Sequence, residues 1–212
     1  MIEVAEKSML WLKFRTIGKQ SHGSRPDLGV NSFKAASYLV TELDKLHQLF
    51  NASDHLYNYP ISTFEPTMKE ANVPNINTIP GEDCFYLDSR ILPRYKIDDV
   101  LRAVDEKVRS IEERFNVRVE ISQIQSVEAP PPTPVEAPVV KALEKAIKEV
   151  TGKGAKIMGI GGGTVAAILR RAGLPAVVWS TVDETAHQPN EYCKISNVKR
   201  DAKTIAWILL EM

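Results

Sequence analysis

The sequence predicts an α/β protein in two parts: a ferredoxin-like α+β domain of βαββαβ order over residues 8–126, then part of an α/β domain over residues 136–212. Three observations carry this. Period-two apolar alternation recurs in the first part, interleaved with two helical apolar stripes. Residues 127–135 hold Pro130, Pro131, Pro132 and Pro134, a stiff extended linker by composition. In the second part the strand-like runs are short and continuously apolar, as in a sheet covered on both faces.

Element by element, Leu10, Leu12 and Phe14 alternate with Trp11, Lys13 and Arg15, giving a half-buried strand over Met9–Ile17 that Gly18 ends. Val30, Phe33, Ala36, Leu39, Val40, Leu43 and Leu46 recur at spacings of three and four, the stripe of an amphipathic helix. Tyr57, Tyr59 and Ile61 alternate as a second strand, and Pro60 puts it at a sheet edge. Glu65–Glu82 is polar, with Asn75, Asn77, Pro80 and Gly81 as turn formers, and reads as one long loop. Cys84–Leu92 is the third strand, with Asp88 and Arg90 side by side on one face; a solvated cross-strand ion pair accounts for them. Ile97–Phe115 is the second helix, with Asp98 and Asp99 in the first turn where the helix dipole favours acids. Val117, Val119 and Ile121 close the motif as its fourth strand.

The second part has a helix over Pro138–Val150, an apolar run ending in Ile160, the glycines Gly159, Gly161, Gly162 and Gly163, a helix over Val165–Ala172, and a buried strand over Pro175–Trp179. A last helix places Val198, Ala202, Ile205, Ala206 and Leu209 on one side. The glycine turn reads either as close packing or as a helix N-terminus whose N–H groups face an anion such as a carboxylate. His187, in a polar loop beside Pro189, reads either as an ordinary loop residue or as a metal or catalytic group. Two strands and three helices are few for a self-contained core of this size.

Composition narrows the classes. Lys+Arg and Asp+Glu are both 27, so no global charge favours nucleic acid or an anionic membrane. No apolar run approaches the roughly 20 residues that span a bilayer, and Glu3, Glu6 and Lys7 are unlike a signal peptide, so a cytoplasmic protein is expected. Cys84 and Cys193 lack metal or disulfide spacing.

Five motifs together carry a resemblance: Ser21–Asn31 (Ser-His-Gly-Ser-Arg-Pro-Asp-Leu-Gly-Val-Asn), Asn77–Gly81 (Asn-Thr-Ile-Pro-Gly), Asp88–Arg90, Gly161–Thr164 and His187–Glu191 (His-Gln-Pro-Asn-Glu). In order and spacing the chain resembles the di-zinc aminoacylase and carboxypeptidase superfamily, in particular its succinyl-diaminopimelate desuccinylase and acetylornithine deacetylase branch. The resemblance implies that the first domain is a lid inserted into an α/β zinc-binding domain, of which residues 136–212 are the last part. It also implies that the family's His-x-Asp motif, bridging Asp, paired Glu residues and further acidic ligand lie upstream of the lid, outside this chain, with Met1 an internal or misassigned start.

By the same resemblance His22 is the catalytic lid histidine that reaches into the partner's site of a homodimer and stabilises an oxyanion. Asn77 and Arg90 hold substrate polar groups, Gly162, Gly163 and Thr164 take a carboxylate, and His187 is the single matched zinc ligand. Val165 stands where the family often has an acid, Glu191 orients the His187 loop, and Arg25 and Asp88 are structural. The implied activity is removal of an N-succinyl or N-acetyl group from an amino acid such as N-succinyl-diaminopimelate, in lysine or related amino-acid biosynthesis. Two zinc ions are expected in the complete enzyme and none on this chain alone. The alternatives are a noncatalytic dimerisation or binding module, and a dipeptide or amino-acid carboxypeptidase of the same superfamily. A homodimer through the lid edge is expected, with the Pro60 strand or its neighbouring helix buried.

Overall fold

The computed structural model describes residues 1–183, 185 and 188–211. The elements are β1 (Ile2–Glu6), β2 (Ser8–Ile17), β3 (Ser21–His22), α1 (Ser32–Asp44), α2 (Leu46–Leu49), β4 (Thr63–Lys69), β5 (Thr78–Ile79), β6 (Glu82–Ile91), α3 (Ile97–Phe115), β7 (Arg118–Val127), α4 (Pro138–Thr151), β8 (Ile157–Ile160), α5 (Ala166–Arg171) and α6 (Ile195–Glu211). They fall into two compact units. The first holds residues 1–6, 55–59 and 130–212, and the second residues 7–54 and 60–129.

The second unit is the ferredoxin-like sandwich, a four-stranded antiparallel sheet in the order β4-β6-β2-β7. Along β2 every other residue from Ser8 is buried, which is the alternation its sequence shows. Phe14 stands opposite Phe85 in the β2–β6 ladder, and their rings stack at 4.8 Å. α1 and α3 cover this face with Ala35, Leu39, Leu43, Val100, Val104 and Ile111. α1 starts where the Asn31 side chain accepts a hydrogen bond from the Lys34 N–H at 2.9 Å. α3 carries Asp98 and Asp99 in its first turn and ends at Asn116 in the left-handed conformation, φ 52°.

Two readings of the sequence are corrected here. The edge strand is Thr63–Lys69, with Pro66 in it, rather than Tyr57–Ile61. It takes the start of the segment read as one long loop, and β5 lies near that segment's end. Tyr57 alternates with Tyr59 as a strand would, yet it pairs in the other unit. The Leu56 carbonyl accepts from the Gly159 N–H at 2.7 Å, and the Asn58 N–H donates to the Gly159 carbonyl at 3.0 Å. Gly159 permits this approach, since a Cβ there would lie 2.7 Å from the Tyr57 ring.

In the first unit β1, a strand absent from the sequence reading, pairs in parallel with β8. Its other edge meets the Pro175–Trp179 run, which forms only an antiparallel bridge: Glu3 N–H to Val178 O at 2.8 Å and Val178 N–H to Glu3 O at 3.0 Å. α4 starts at Pro138 and ends at Gly152, φ 68°. α6 follows the expected helix but turns its predicted apolar side to solvent. Val198 is 54% exposed and Leu209 71%, while Thr204 is fully buried. Among the described residues no helix is long and apolar enough to cross a membrane.

Candidate functional site

β3 and β5 form a two-residue ladder that brings two predicted site residues together. His22 stands opposite Thr78, and the Gly23 N–H donates to the Asn77 carbonyl at 2.6 Å. A side chain at position 23 would press on that carbonyl, because a Cβ there would sit 3.1 Å from it. Both His22 and Asn77 are exposed. The Ser24 N–H donates to His22 Nδ1 at 3.2 Å, and Ser24 Oγ lies 2.9 Å from the same nitrogen. An Nδ1 that accepts a backbone N–H leaves the ring proton on Nε2, so the outer edge of the ring is a donor.

Arg90 is at the opposite end of the same sheet. The β3–β5 ladder leaves the sheet beside Ile17 and Glu82, whereas Arg90 faces Met9 and Thr63. Glu82 and Arg90 are eight positions apart along β6, about 26 Å of strand. Arg90 holds Asp88 of its own strand in a bidentate pair, Nε to Oδ1 at 2.6 Å and Nη2 to Oδ2 at 2.8 Å. The pair is therefore within one strand and half-buried, not cross-strand and solvated, and the guanidinium lies 5.7 Å from the Trp11 ring centre. Nearby Lys7 is buried and donates to the Ile61 carbonyl. Burial, with Arg90 adding like charge, pulls its ammonium down to about 8.

In the first unit the glycine turn ends β8. A Cβ on Gly161 would meet nothing within 4 Å, and one on Gly162 only the Ile160 methyl at 3.8 Å, so close packing within the described residues does not require glycine at either position. α5 is a six-residue helix, and its first N–H groups are already bonded: Ala166 N–H to Thr164 Oγ1 at 3.2 Å and Ala167 N–H to the Thr164 carbonyl at 3.2 Å. The Thr164 hydroxyl donates to Glu6 Oε1.

Glu6 leads to a cluster that sequence reasoning missed. The β1–β8 register shifts between Glu3 and Ala5, a bulge that brings Glu3 and Glu6, three apart and hence on opposite faces of a regular strand, to one guanidinium. Arg170 Nη1 lies 2.9 Å from Glu3 Oε1 and 3.5 Å from Glu6 Oε1, and Arg170 Nε donates to the Ala176 carbonyl at 3.0 Å. The Thr133 hydroxyl donates to the same carbonyl at 2.6 Å. All three charged side chains are at least 95% buried. Burial pushes the Glu3 carboxyl above its ordinary value against the pull of Arg170, and the Glu6 charge adds to the rise. Glu3 Oε2 has no hydrogen-bond partner among the described residues. The Glu-x-x-Glu spacing was visible in the sequence, but an unforeseen bulge is what joins the two acids.

His187 and Glu184 lie outside the described residues. Asp183 pairs with Lys194 at 3.0 Å, and Asn190 takes a left-handed backbone, φ 62°. Among the described residues no three His, Cys, Asp or Glu side chains gather as metal ligands. The Glu6 carboxylate, bonded to Thr164 of the glycine turn, is shared with Arg170, which also holds Glu3. The described donor set therefore does not fit a zinc site.

Residues 4–116 match the peptidase dimerisation domain, a match that supports homodimer formation. An uncharacterized metallohydrolase of Methanocaldococcus jannaschii is 40% identical over 217 residues, covering 98% of this chain and 53% of that protein. Acetylornithine deacetylase of Photorhabdus laumondii is 25% identical over 210 residues, covering 97% of this chain and 52% of that one. Succinyl-diaminopimelate desuccinylase of Marinobacter nauticus is 26% identical over 197 residues, covering 92% and 49%. The chain spans about half the length of the curated relatives it matches. A tripeptidase from Staphylococcus aureus shares the fold at TM-score 0.76 and 18% identity, over 98% of this chain and 52% of its own. By its match over more than half its length, the chain belongs to the peptidase dimerisation domain family.

Proposed function

We propose that the chain supplies the lid and part of the α/β domain of a zinc-dependent amidohydrolase that removes an N-succinyl or N-acetyl group from an amino acid, and that it does not turn over alone. The observation that carries this is the spacing on the lid sheet: His22 and Asn77 share one end, and Arg90 sits at the other. About 26 Å of strand is too far for one small substrate to touch both stations. In a homodimer each sheet serves two sites, Arg90 at its own and the His22–Asn77 tip at the partner's.

The exposed β4 edge suits that dimer, since an unpaired strand edge is a template for a second copy. Beside it Phe33 of α1 offers exposed aromatic surface. At the reacting amide, Nε2–H of His22 would donate to the carbonyl oxygen as it gains charge in the tetrahedral intermediate. The Asn77 amide would hold a substrate carbonyl. The planar Arg90 guanidinium, oriented by Asp88, would hold a carboxylate. Gly162 and Gly163 would let substrate oxygen approach the backbone, and space at Gly161 and Gly162 that no described side chain fills agrees with this. The Thr164 hydroxyl would act through Glu6, to which it is bonded. His187 remains the proposed zinc ligand, with the other ligands supplied from outside this chain.

The test is hydrolysis of N-succinyl-diaminopimelate and N-acetylornithine, with metal content measured alongside. The chain is assayed alone and co-expressed with the unmatched part of the Methanocaldococcus relative. The expected result is no turnover alone and chelator-sensitive turnover in the pair. His22→Ala should lower kcat about 100-fold in the pair, the scale of one lost oxyanion donor. Turnover by the chain alone, or a pair indifferent to His22→Ala, would overturn the reading.

A further inference from the structure

Glu6 ties β1 to the glycine turn. In the β1–β8 register it stands opposite Ile160, the last strand residue before the turn. Its side chain is only 3% exposed and takes the Thr164 hydroxyl proton on Oε1. Thr164 Oγ1 in turn accepts the Ala166 N–H at 3.2 Å, so the hydroxyl keeps no proton for a ligand. Among the described residues the Gly162, Gly163 and Thr164 N–H groups donate to nothing. Arg170 is the cation of this cluster, and each nitrogen of its guanidinium is committed. Nε donates to the Ala176 carbonyl at 3.0 Å, Nη1 lies against Glu3 and Glu6, and Nη2 donates to the Glu3 carbonyl at 3.3 Å.

We infer that Glu6 is a positioning residue for the Gly162–Thr164 turn and sets what the turn accepts: an uncharged carbonyl oxygen, as in an acetyl group, in preference to a carboxylate such as the far end of a succinyl group. The inference rests on the reading of this turn as a substrate station. Successive free N–H groups suit an acceptor oxygen of either kind, so charge makes the choice. Two carboxylates against one guanidinium leave the cluster negative when both are ionised, and side chains buried this deeply are weakly screened. A carboxylate at the turn comes up against Glu6 with only the Thr164 hydroxyl between them, and that hydroxyl points its proton inward. No guanidinium donor is left to meet it. A carbonyl oxygen carries only a partial charge and takes the same N–H groups without that repulsion.

The chain by itself carries the test, through amide NMR at neutral pH with acetamide and sodium acetate as probes. In the parent, acetamide should shift the Gly162, Gly163 and Thr164 resonances at lower concentration than acetate does. Glu6→Gln keeps an acceptor for the Thr164 hydroxyl and removes the charge, so it should improve acetate relative to acetamide by about tenfold. Glu6→Ala and Thr164→Val both break the hydroxyl contact and should quicken hydrogen exchange of the turn amides, whereas Glu6→Gln should not. Thr164 is half-buried, so its variant reads the contact even where Glu6→Ala fails to fold. In the chain co-expressed with the unmatched part of the Methanocaldococcus relative, Glu6→Gln should lower the ratio of kcat/KM for N-acetyl- over N-succinyl-diaminopimelate by about tenfold. Acetate favoured over acetamide in the parent, a preference that Glu6→Gln leaves unchanged, a turn that answers neither probe, or turn exchange indifferent to Thr164→Val would each overturn the inference. A co-expressed pair without turnover would remove the substrate assignment and leave the NMR result to decide the role of Glu6.

Discussion

The two compact units distribute polarity in opposite senses. In the second unit one contiguous apolar cluster, from Leu10, Leu12 and Phe14 across to Val104 and Ile111, fills the space between sheet and helices. In the first unit an arginine and two carboxylates sit inside, while the apolar residues of α6 lie outside. The ferredoxin-like unit closes its own core, so local pattern suffices to specify it. The α/β unit pairs Arg170 with two buried carboxylates, leaves one Glu3 oxygen without a hydrogen-bond partner among the described residues, and exposes the apolar residues of α6. A unit that closes its own apolar core is therefore more legible in sequence than one whose apolar residues lie outside.

The contrast is broken most severely at Arg170. Replacing it with Met leaves Glu3 and Glu6 buried together without a counter-charge, and removal of one partner from a buried ionic cluster costs about 3–5 kcal/mol. Urea unfolding followed by Trp179 and Trp207, both in the first unit, should show the loss. Hydrogen exchange in β2 and β6 should be unchanged. If exchange quickens equally in both units, the two do not respond separately and the contrast fails. The matching change in the second unit is Leu12→Ala, a buried side chain in a close-packed sheet, which should cost about 2–5 kcal/mol through lost burial and a residual cavity. Its effect should appear at Trp11 and leave the indoles of the first unit unmoved.

What the sequence disclosed follows the same division. Period-two alternation in β2 and the stripes of α1 and α3 were readable because each buries one face against its own unit. The edge strand was misplaced by a few residues because Tyr57 and Tyr59 alternate convincingly, and only the long-range bridge to Gly159 reveals that Tyr57 belongs elsewhere. β1 was missed because five residues ahead of a strong strand carry no period of their own. The proximity of His22 to Asn77 depends on a ladder of two residues each side, too short to leave a pattern. The opposite-end position of Arg90 could have been found by counting along the Cys84–Leu92 strand. The Glu3–Glu6–Arg170 cluster joins residues more than 160 positions apart through a bulge, and no local signal encodes that.

The smallest expected effect is also the sharpest probe of how the first unit tolerates its buried charge. Glu3 shares Arg170 with Glu6, and one of its oxygens has no hydrogen-bond partner among the described residues, so burial outweighs the pairing and raises its folded pKa. A carboxyl with a raised folded pKa binds its proton more tightly in the native chain than in the unfolded one. Its contribution to stability is then fully present below the ordinary glutamate range and is lost as the pH climbs through the folded pKa. Glu3→Gln replaces this group with a neutral amide and removes its titration. Relative to the parent, the variant should gain stability as the pH rises out of the acid range, and the difference should level off once Glu3 is ionised in both states. Urea midpoints over a pH series, read from Trp179 and Trp207, measure the difference directly. A gap that runs the other way, with the variant losing ground as the pH rises, would mean that Arg170 holds Glu3 as an anion more strongly than burial opposes it. The cluster would then be a source of stability for the first unit, not a cost that its assembly must offset.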